Sequence, residues 1–225
     1  MRRSARGVER HWRHQRLIPA VYDFVVEHER LARLGGRVLW GVDVRAMYAS
    51  FAEAGRLPTG AAVLDVPCGG GVAFRGVPPG ADLRYVAADL SPMMLRRARA
   101  EAGRRGLPAV FVRLSVDRLP FPPSAFDLCV TYNGLHCLPD PTSAVAEMAR
   151  VLRPGGVLRG SAVVTGAGRR FDALIAVFRW RGDFGAPGDV TDLRGWLSAA
   201  GLEAVSVSRS GALAHFSAVK PGGDD

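Results

Sequence analysis

Five short apolar runs alternate with helical segments after Pro58, and this alternation limits the folds that the chain can adopt. The runs are AAVLDV, LRYVAAD, AVFVRL, FDLCVTY and GVLRGSAVV. Runs of this length and composition are typical of strands that are buried on both faces. Strands that alternate with helices are joined by right-handed crossovers, which make the strands parallel neighbours in one sheet. The pattern therefore predicts a doubly wound α/β fold with a mostly parallel sheet.

The helices between these runs begin with clear signals. SPMMLRRARAEAGRRG and PDPTSAVAEMARVLRPGG each place an N-capping residue, Ser91 or Asp140, directly before a proline. A serine or aspartate N-cap followed by a first-turn proline is typical of a helix start. The tail LEAVSVSRSGALAHFSAVK contains two strand-like runs around Ser210-Gly211, which predicts an antiparallel hairpin at one edge of the sheet.

The N-terminal quarter of the chain carries two amphipathic patterns that end at glycines. One pattern ends at Gly35-Gly36, and the other, DVRAMYASFAEAG, ends at Gly55. Apolar residues at helical spacing that are followed by glycine predict two helices. We therefore expect residues 1–57 to form a basic arm and a helical cap, and residues 58–220 to form the sheet domain, within one structural domain.

Length and composition fit one packed domain in a reducing compartment. A chain of 225 residues suits a single α/β unit. Its longest apolar run, ALIAVF at 173–178, is far shorter than the roughly 20 residues that cross a bilayer. The N-terminus has charge but no apolar segment behind it, which argues against a secretory signal. Three cysteines without ligand spacing argue against structural zinc, so we expect no metal and a cytoplasmic location.

The basic charge of the chain is concentrated at its start. The formal net charge is +9, and Arg2, Arg3, Arg6, Arg10, Arg13 and Arg16 crowd the first turns. Basic segments attract phosphates and anionic lipids, but charge alone has little specificity. We interpret the segment as a solvated arm. A nucleic-acid partner is an open alternative that this interpretation does not favour.

The stretch VLDVPCGGG, residues 63–71, ends a predicted strand in three glycines. Glycine allows the backbone to approach a ligand closely and to adopt a positive φ. In an open α/β sheet, ligands bind at the carboxyl ends of the strands, where the strand order reverses. Asp89 ends the next predicted strand, where its carboxylate is positioned to accept hydrogen bonds from two ribose hydroxyls.

Asp65 separates two classes of nucleotide ligand. A dinucleotide site directs its glycine turn and the following helix N-terminus at a pyrophosphate, which a nearby carboxylate would repel. Here Asp65 precedes the turn, and the segment after Gly71, VAFRGV, runs directly into PPG. The short helix and the acidic residues predict a site for a nucleoside that bears positive charge. This argument requires that Asp65 faces the ligand.

These stretches resemble the motifs of class I S-adenosylmethionine-dependent methyltransferases, in particular the UbiE-like small-molecule subgroup (methyltransferase type 11). The family's first motif, an acidic residue followed by x-G-x-G-x-G, is similar to residues 65–71. AADLSPMML matches the motif with the ribose acid, Asp89, and SVDRLPFPPSAFD matches the motif with an acidic residue near the adenine, Asp117. FDLCVTYNGLHCLPDP and EMARVLRPGG match later strands and turns, so the resemblance covers residues 61–165 in the family's order.

The resemblance implies a Rossmann-like, doubly wound, mostly parallel seven-stranded sheet with a C-terminal antiparallel hairpin and a helical N-terminal extension. It also implies S-adenosyl-L-methionine as the cofactor of a catalytic domain at residues 58–220. The residues that it assigns to cofactor binding are Asp65, Pro67, Cys68, Gly69, Gly71, Asp89, Leu90, Met94, Val116, Asp117 and Asn133. Pro67 departs from the family because it replaces the first glycine, and we expect a stiffened turn that keeps the site.

In methyl transfer from a sulfonium the leaving group is already activated. The protein therefore mainly has to align the nucleophile, the methyl group and the sulfur. His136, in NGLHC after the fourth predicted strand, is a candidate general base, and Tyr22 is a candidate contact from the N-terminal helix. The alternative for both side chains is that they pack in the core and do not contact a substrate. Aromatic residues flank the predicted site, among them Trp40, Phe178 and Trp180, and they suggest a small methyl acceptor that is mainly apolar or aromatic.

Three other functions stay open at this point. An RNA methyltransferase would use the arginine-rich arm, although the chain has no appended RNA-binding module. A nicotinamide-dependent oxidoreductase would share Asp89, but Asp65 and the missing phosphate-binding helix disfavour it. A cofactor-binding subunit without activity is compatible with the shortened helix after Gly71.

Overall fold

The computed structural model describes residues 37, 40–42, 50–52 and 54–222, and the structural statements below concern these residues. The basic arm, Tyr22 and most of the predicted helical extension lie outside the described residues. The expected boundary between residues 57 and 58 therefore stays a prediction.

Seven strands form one sheet. Their bounds are β1 Ala62–Asp65, β2 Arg84–Asp89, β3 Ala109–Arg113, β4 Phe126–Tyr132, β5 Leu152–Val163, β6 Glu203–Ser210 and β7 Leu213–Val219. The spatial order is β3-β2-β1-β4-β5-β7-β6. The first five strands pair in parallel, and β7 pairs antiparallel with both β5 and β6. The predicted doubly wound sheet and its C-terminal hairpin are therefore confirmed.

Within residues 54–222, four α-helices accompany the sheet: α1 Pro92–Arg105, α2 Pro141–Val151, α3 Arg169–Arg181 and α4 Val190–Ala199. The predicted caps are present, because Ser91 accepts a hydrogen bond from the Met94 N–H and Asp140 accepts one from the Ser143 N–H. The run ALIAVF, to which the strand–helix pattern assigned no element, lies within α3. In the part of the chain that the structure describes, no helix is both long enough and apolar enough to span a bilayer.

The helices cover both faces of the sheet. Buried residues of α1 and α3 pack in one core cluster with residues of β1, β2 and β4. Buried residues of α2 and α4 pack in a second cluster on the opposite face. The strand order reverses between β1 and β4, so their carboxyl ends open a crevice at the position where α/β sheets bind ligands.

One detail of the strand prediction is wrong. The run AVFVRL was expected to be buried on both faces, but β3 lies at the edge of the sheet and Val110 is 62% exposed. An edge strand has a neighbour on one side only, so part of its surface stays in contact with water. The apolar run by itself does not distinguish an edge strand from a central one.

The described part of the N-terminal segment packs beside the end of β4. The Tyr132 hydroxyl donates a hydrogen bond to the Ser50 carbonyl at 3.1 Å, and the Phe51 and Tyr132 rings meet edge to face with centroids 4.5 Å apart. Tyr132 is the last residue of β4. This segment therefore lies near the carboxyl ends of the strands, where the crevice opens.

Candidate active site

The glycine turn is held between two neighbouring strands. The Val66 N–H donates a hydrogen bond to the Val130 carbonyl of β4, and the Cys68 N–H donates one to the Ala88 carbonyl of β2, at 3.0 and 2.8 Å. The Gly71 N–H then donates to the Cys68 carbonyl and closes the turn. These bonds place residues 67–71 directly above the strand ends at the crevice.

Asp89 anchors the turn from the end of β2. Its Oδ2 accepts a hydrogen bond from the Gly69 N–H at 3.0 Å, and its Oδ1 accepts one from the Ser91 N–H at 2.8 Å. Each carboxylate oxygen has two acceptor sites, so each can accept a further bond from a ligand. Burial raises the pKa of Asp89 to about 6, although the Ser91 and Gly69 N–H groups oppose this rise. Asp89 is therefore mostly ionised at pH 7.

Asp65 has a different environment from the one that the sequence suggested. Its carboxyl group is buried at the end of β1, where the Tyr85 hydroxyl donates a hydrogen bond to Oδ2 at 3.2 Å. Burial raises the pKa of Asp65 to about 8, and the hydrogen bond from Tyr85 only partly offsets this rise. Without a ligand, Asp65 is therefore mostly protonated at pH 7. Of the two acids at the ends of β1 and β2, only Asp89 is mostly ionised without a ligand, and the electrostatic argument based on Asp65 is correspondingly weaker.

Tyr85 is the residue of this site that the sequence analysis did not identify. In the parallel register, Val63 pairs with Tyr85 and Asp65 pairs with Ala87. Tyr85 and Ala87 are two residues apart on β2, so both side chains lie on the sheet face that carries Asp65. The alternation in YVAAD indicates that Tyr85 and Asp89 share a face, but it does not reveal the register against β1.

Gly69 and Gly71 of the turn both have backbone conformations that favour glycine, but the space around them differs. Gly69 has φ +52° and Gly71 has φ +91°, so both occupy the left-handed region that favours glycine. A Cβ at Gly69 would meet no atom within 4 Å, whereas a Cβ at Gly71 would collide with the buried Phe74 ring. The space beside Gly69 is therefore open to a ligand, and Gly71 is required by the packing of the short helix Val72–Gly76.

Pro67 fits against the loop that follows β4. A Cβ added to Gly134 would lie 2.5 Å from the Pro67 Cγ and 3.0 Å from the Thr131 hydroxyl oxygen. The proline ring therefore occupies space that only a glycine at position 134 leaves free. This close contact joins the two loops at the carboxyl ends of β1 and β4. The expected stiffening of the turn stays a prediction.

The other residues assigned to the cofactor lie around the ends of β2 and β3. Leu90 follows β2, and its carbonyl accepts a hydrogen bond from Arg113 Nε at 3.2 Å. Met94 is buried in the first turn of α1. Beyond β3, Val116 is buried and Asp117 is exposed on the adjacent turn. The structure brings the backbone of these segments to one edge of the sheet, and their roles stay predictions.

Asn133 follows β4 with φ +55°, in the left-handed region. Its N–H donates to the Ser161 carbonyl at 2.8 Å, and its Oδ1 accepts a hydrogen bond from the Ser161 hydroxyl at 3.1 Å. Asparagine tolerates this backbone conformation better than most residues. The two bonds hold the loop after β4 against β5.

His136 is buried in the short helix Leu135–Cys137. Its Nδ1 accepts a hydrogen bond from the Val163 N–H at 3.1 Å, and burial lowers its pKa to about 3. Because the Nδ1 lone pair is occupied, the neutral imidazole carries its proton on Nε2. In this form Nε2 can donate a hydrogen bond but cannot accept a proton. The geometry therefore counts against a general base and favours a donor.

An aromatic cluster adjoins His136. The Phe184 ring lies 4.4 Å from the imidazole, and it stacks on Phe178 at 5.0 Å and on Trp40 at 6.1 Å between centroids. We call Trp40, Phe178, Phe184 and His136 the aromatic cluster. Trp180 does not belong to it, because its side chain is 87% exposed. Trp180, which the sequence pattern grouped with Trp40 and Phe178, therefore does not pack with them.

No metal centre accompanies this site within the described ranges. There, no group of three or more histidine, cysteine, aspartate or glutamate side chains is arranged to hold a metal ion. The three cysteines, Cys68, Cys129 and Cys137, are free thiols.

The strand order, the glycine turn and the acid at the end of β2 together define a Rossmann-like methyltransferase fold. Residues 64–159 match the family described as Methyltransferase domain, type 11. Over these residues the match confirms the resemblance inferred from the motifs.

Two curated relatives illustrate the match. An uncharacterized protein of Mycobacterium tuberculosis is 33% identical over 134 residues, which are 58% of this chain and 48% of that protein. The demethylmenaquinone methyltransferase of Thermus thermophilus is 38% identical over 99 residues, which are 43% of this chain and 44% of that enzyme. The chain thus spans about half, or less, of the length of the curated relatives that it matches.

A solved structure shares the fold. Phosphoethanolamine N-methyltransferase 2 of Haemonchus contortus, in complex with S-adenosyl-L-methionine, superposes with a TM-score of 0.67. The two chains are 15% identical over 79% of this chain and 53% of the other. At this identity the comparison shows a common fold and nothing about the acceptor.

Proposed function

We propose that the chain is an S-adenosyl-L-methionine-dependent methyltransferase that acts on a small, mainly apolar or aromatic molecule. The observation that carries this proposal is the geometry of Asp89. Its carboxylate is held at the end of β2 by two backbone N–H groups and keeps further acceptor sites. Two adjacent ribose hydroxyls match these acceptor sites, and the open space beside Gly69 accommodates the nucleoside.

The crevice suits a cation better than a pyrophosphate. A pyrophosphate site needs a helix N-terminus behind the glycine turn, and here the turn leads into Val72–Gly76, a five-residue 3₁₀ segment. Asp65 and Asp89 lie at the adjacent strand ends, and both would repel an anion when ionised. S-adenosyl-L-methionine, by contrast, carries a sulfonium and an ammonium group, and the sulfonium supplies an activated methyl group.

Ligand binding tests the proposal directly. Thermal shift measurements with S-adenosylhomocysteine and with NAD should show stabilisation by S-adenosylhomocysteine only, because S-adenosylhomocysteine has the ribose but lacks a phosphate. Transfer of a labelled methyl group to small phenols and quinols would then identify acceptors. Stabilisation by NAD alone would contradict the proposal and favour an oxidoreductase. Binding without transfer to any acceptor would favour the inactive subunit.

The acceptor is proposed to bind beside the aromatic cluster. His136 and Phe184 lie next to the loop after β4, which Asn133 ties to β5. Stacked aromatic side chains provide a large apolar contact area for a flat molecule. The Nε2–H of His136 is available to orient an acceptor oxygen. The chain would then hold the acceptor in line with the methyl group, and alignment of this kind lowers the barrier.

Two substitutions of His136 distinguish orientation from packing. The amide oxygen of asparagine lies near the position of Nδ1, so His136→Asn keeps the bond from the Val163 N–H but removes the Nε2 donor. We expect His136→Asn to raise KM for the acceptor about tenfold, in line with the loss of one hydrogen bond, with a stable fold. His136→Phe leaves the Val163 N–H without its partner and should also lower Tm. An unchanged KM in His136→Asn would leave His136 with a packing role only.

A cytoplasmic location and an undivided structural domain with a cap at residues 1–57 complete the proposal. Three free cysteines support a reducing compartment. The contact of Tyr132 with Ser50 and Phe51 supports a cap that lies over the crevice. The assignment of Tyr22 to that cap rests on the sequence pattern, because Tyr22 lies outside the described residues.

A further inference from the structure

Helix α3 has apolar residues on two opposite faces. Phe171 and Ile175 are buried against the sheet, as expected for a surface helix. Ala173, Val177 and Trp180 follow one another at helical spacing on the other side, and all three are exposed. Val177 is 50% exposed and Trp180 is 87% exposed. We call these three residues the outer stripe.

A large exposed tryptophan in such a stripe requires an explanation. Single exposed apolar residues are common on protein surfaces, but a contiguous stripe that includes tryptophan marks an interaction surface. Transferring the indole and the valine side chain out of water is favourable because their apolar area is large. The outer stripe is therefore a candidate contact surface of the fold.

The charges beside the outer stripe are almost all positive. Four exposed arginines lie at the two ends of α3, and one of them, Arg181, pairs with the buried Asp183 at 2.9 Å; the four are Arg169, Arg170, Arg179 and Arg181. Asp172, the one acidic residue of the helix, already accepts a hydrogen bond from the Gly166 N–H. The formal net charge of the whole chain, +9, has the same sign. The surface thus combines an apolar stripe with a positive border.

We propose that the outer stripe of α3 and its four arginines bind the surface of an anionic lipid bilayer. Amphipathic helices that lie in a membrane interface combine tryptophan on the apolar side with arginines beside it. The indole inserts at the level of the headgroups, and the arginines contact lipid phosphates. Because an anionic bilayer provides both an apolar layer and negative charge, it matches both halves of this surface.

Helix α3 lies between the outer stripe and the aromatic cluster. The inner face of α3 contributes Phe178, which stacks on Phe184 of the aromatic cluster. A bilayer at the outer stripe would therefore lie across α3 from the aromatic cluster. If the proposed methyl transfer is correct, lipid contact at α3 would suit a methyl acceptor that is itself dissolved in the lipid. Binding to lipid does not depend on methyl transfer, so the two proposals can fail separately.

Vesicle binding tests the surface without cofactor or acceptor. The full chain is mixed with two kinds of vesicle, one of phosphatidylcholine alone and one of phosphatidylcholine and phosphatidylglycerol in equal amounts. Sedimentation then separates bound from free protein. We expect binding to the anionic vesicles only, with a blue shift of tryptophan emission that Trp180→Phe removes. Trp180→Ser should weaken binding about tenfold, and the pair Arg169→Glu and Arg179→Glu should weaken it about a hundredfold.

Matched variants separate this surface from general charge and apolarity. Val110→Ser removes another exposed apolar residue, on β3, and the pair Arg96→Glu and Arg118→Glu changes the net charge by the same amount away from α3. Both controls should bind the anionic vesicles nearly as well as the unmodified chain. Equal losses in the test and control variants would overturn the proposal. It would also be overturned if Trp180→Ser instead abolished a dimer detected by ultracentrifugation without lipid.

Discussion

Replacement of Asp89 by asparagine is expected to weaken the binding of S-adenosylhomocysteine by two to four orders of magnitude. The substitution removes the negative charge of the side chain. It also replaces one carboxylate oxygen by an NH2 group, which donates hydrogen bonds but cannot accept one from a ribose hydroxyl. Charge-assisted hydrogen bonds contribute about 1.5–3 kcal/mol each, so two ribose bonds correspond to about 3–6 kcal/mol. Isothermal titration of both proteins with S-adenosylhomocysteine measures the difference.

The substitution also affects the turn itself, and this effect requires a control. Asp89 accepts the Gly69 and Ser91 N–H bonds, so Asp89→Asn should lower the free energy of unfolding by about 1–3 kcal/mol if one of them is lost. Asp82→Asn alters an exposed acid just before β2, at the amino ends of the strands and away from the crevice. It should change neither the affinity for S-adenosylhomocysteine nor the free energy of unfolding. A folded Asp89→Asn protein with undiminished affinity would refute the assignment of Asp89 to the ribose.

The affinity for S-adenosyl-L-methionine is expected to rise about tenfold per pH unit between pH 6 and 7.5. Burial raises the pKa of Asp65 to about 8, so the carboxyl group is mostly protonated in this range without ligand. The positive charges of the ligand favour the ionised form, and binding therefore releases a proton. Release of one proton changes the binding constant tenfold per unit, and the increase should end near pH 8.

The same pKa shift affects the stability of the unliganded protein in the opposite sense. The folded-state pKa of Asp65 lies above its unfolded value of 3.8, so the folded protein binds the extra proton between these values. Its contribution to stability is fully present below pH 3.8 and is lost as the pH rises through about 8. The cofactor should therefore stabilise the protein more at pH 7.5 than at pH 6.

Two variants test whether Asp65 is the group responsible. Asp65→Asn removes the titrating proton and should bind S-adenosyl-L-methionine with little pH dependence above pH 7, where Asp89, with a pKa of about 6, is already ionised. Tyr85→Phe removes the hydrogen bond that lowers the pKa of Asp65, so the increase in affinity should extend to higher pH. Titrations in two buffers with different ionisation enthalpies count the released protons. An equal pH dependence in Asp65→Asn would assign the effect to another group.

Much of the fold was predictable from local patterns. Apolar runs and capped helices at regular intervals specify a parallel sheet, because helical crossovers join parallel strands with one handedness. The position of Asp89 followed from the same logic, since the residue that ends a strand of a parallel sheet lies at the ligand edge. Such predictions succeed because each depends on residues that are close together in the chain.

The environments of Asp65 and Trp180 were not predictable in this way. Asp65 meets Tyr85 because the parallel register pairs Asp65 with Ala87, and the apolar pattern of the two strands is compatible with other registers. Trp180 lies outside the aromatic cluster because α3 rotates its inner face, with Phe171 and Ile175, toward the sheet. Sequence spacing places aromatic residues on one helix but does not indicate which of two apolar faces meets the core.

The sequence by itself determined the order and type of the elements, the glycine turn and the acid at the end of β2. These depend on dihedral preferences, capping and the alternation of apolar residues, which act over a few positions. Only the tertiary structure decided that Asp65 is buried and mostly neutral, that the Val163 N–H occupies Nδ1 of His136, and that Pro67 packs on Gly134. These properties depend on desolvation and on contacts between distant segments, which exist only once the strands have paired and the helices have packed.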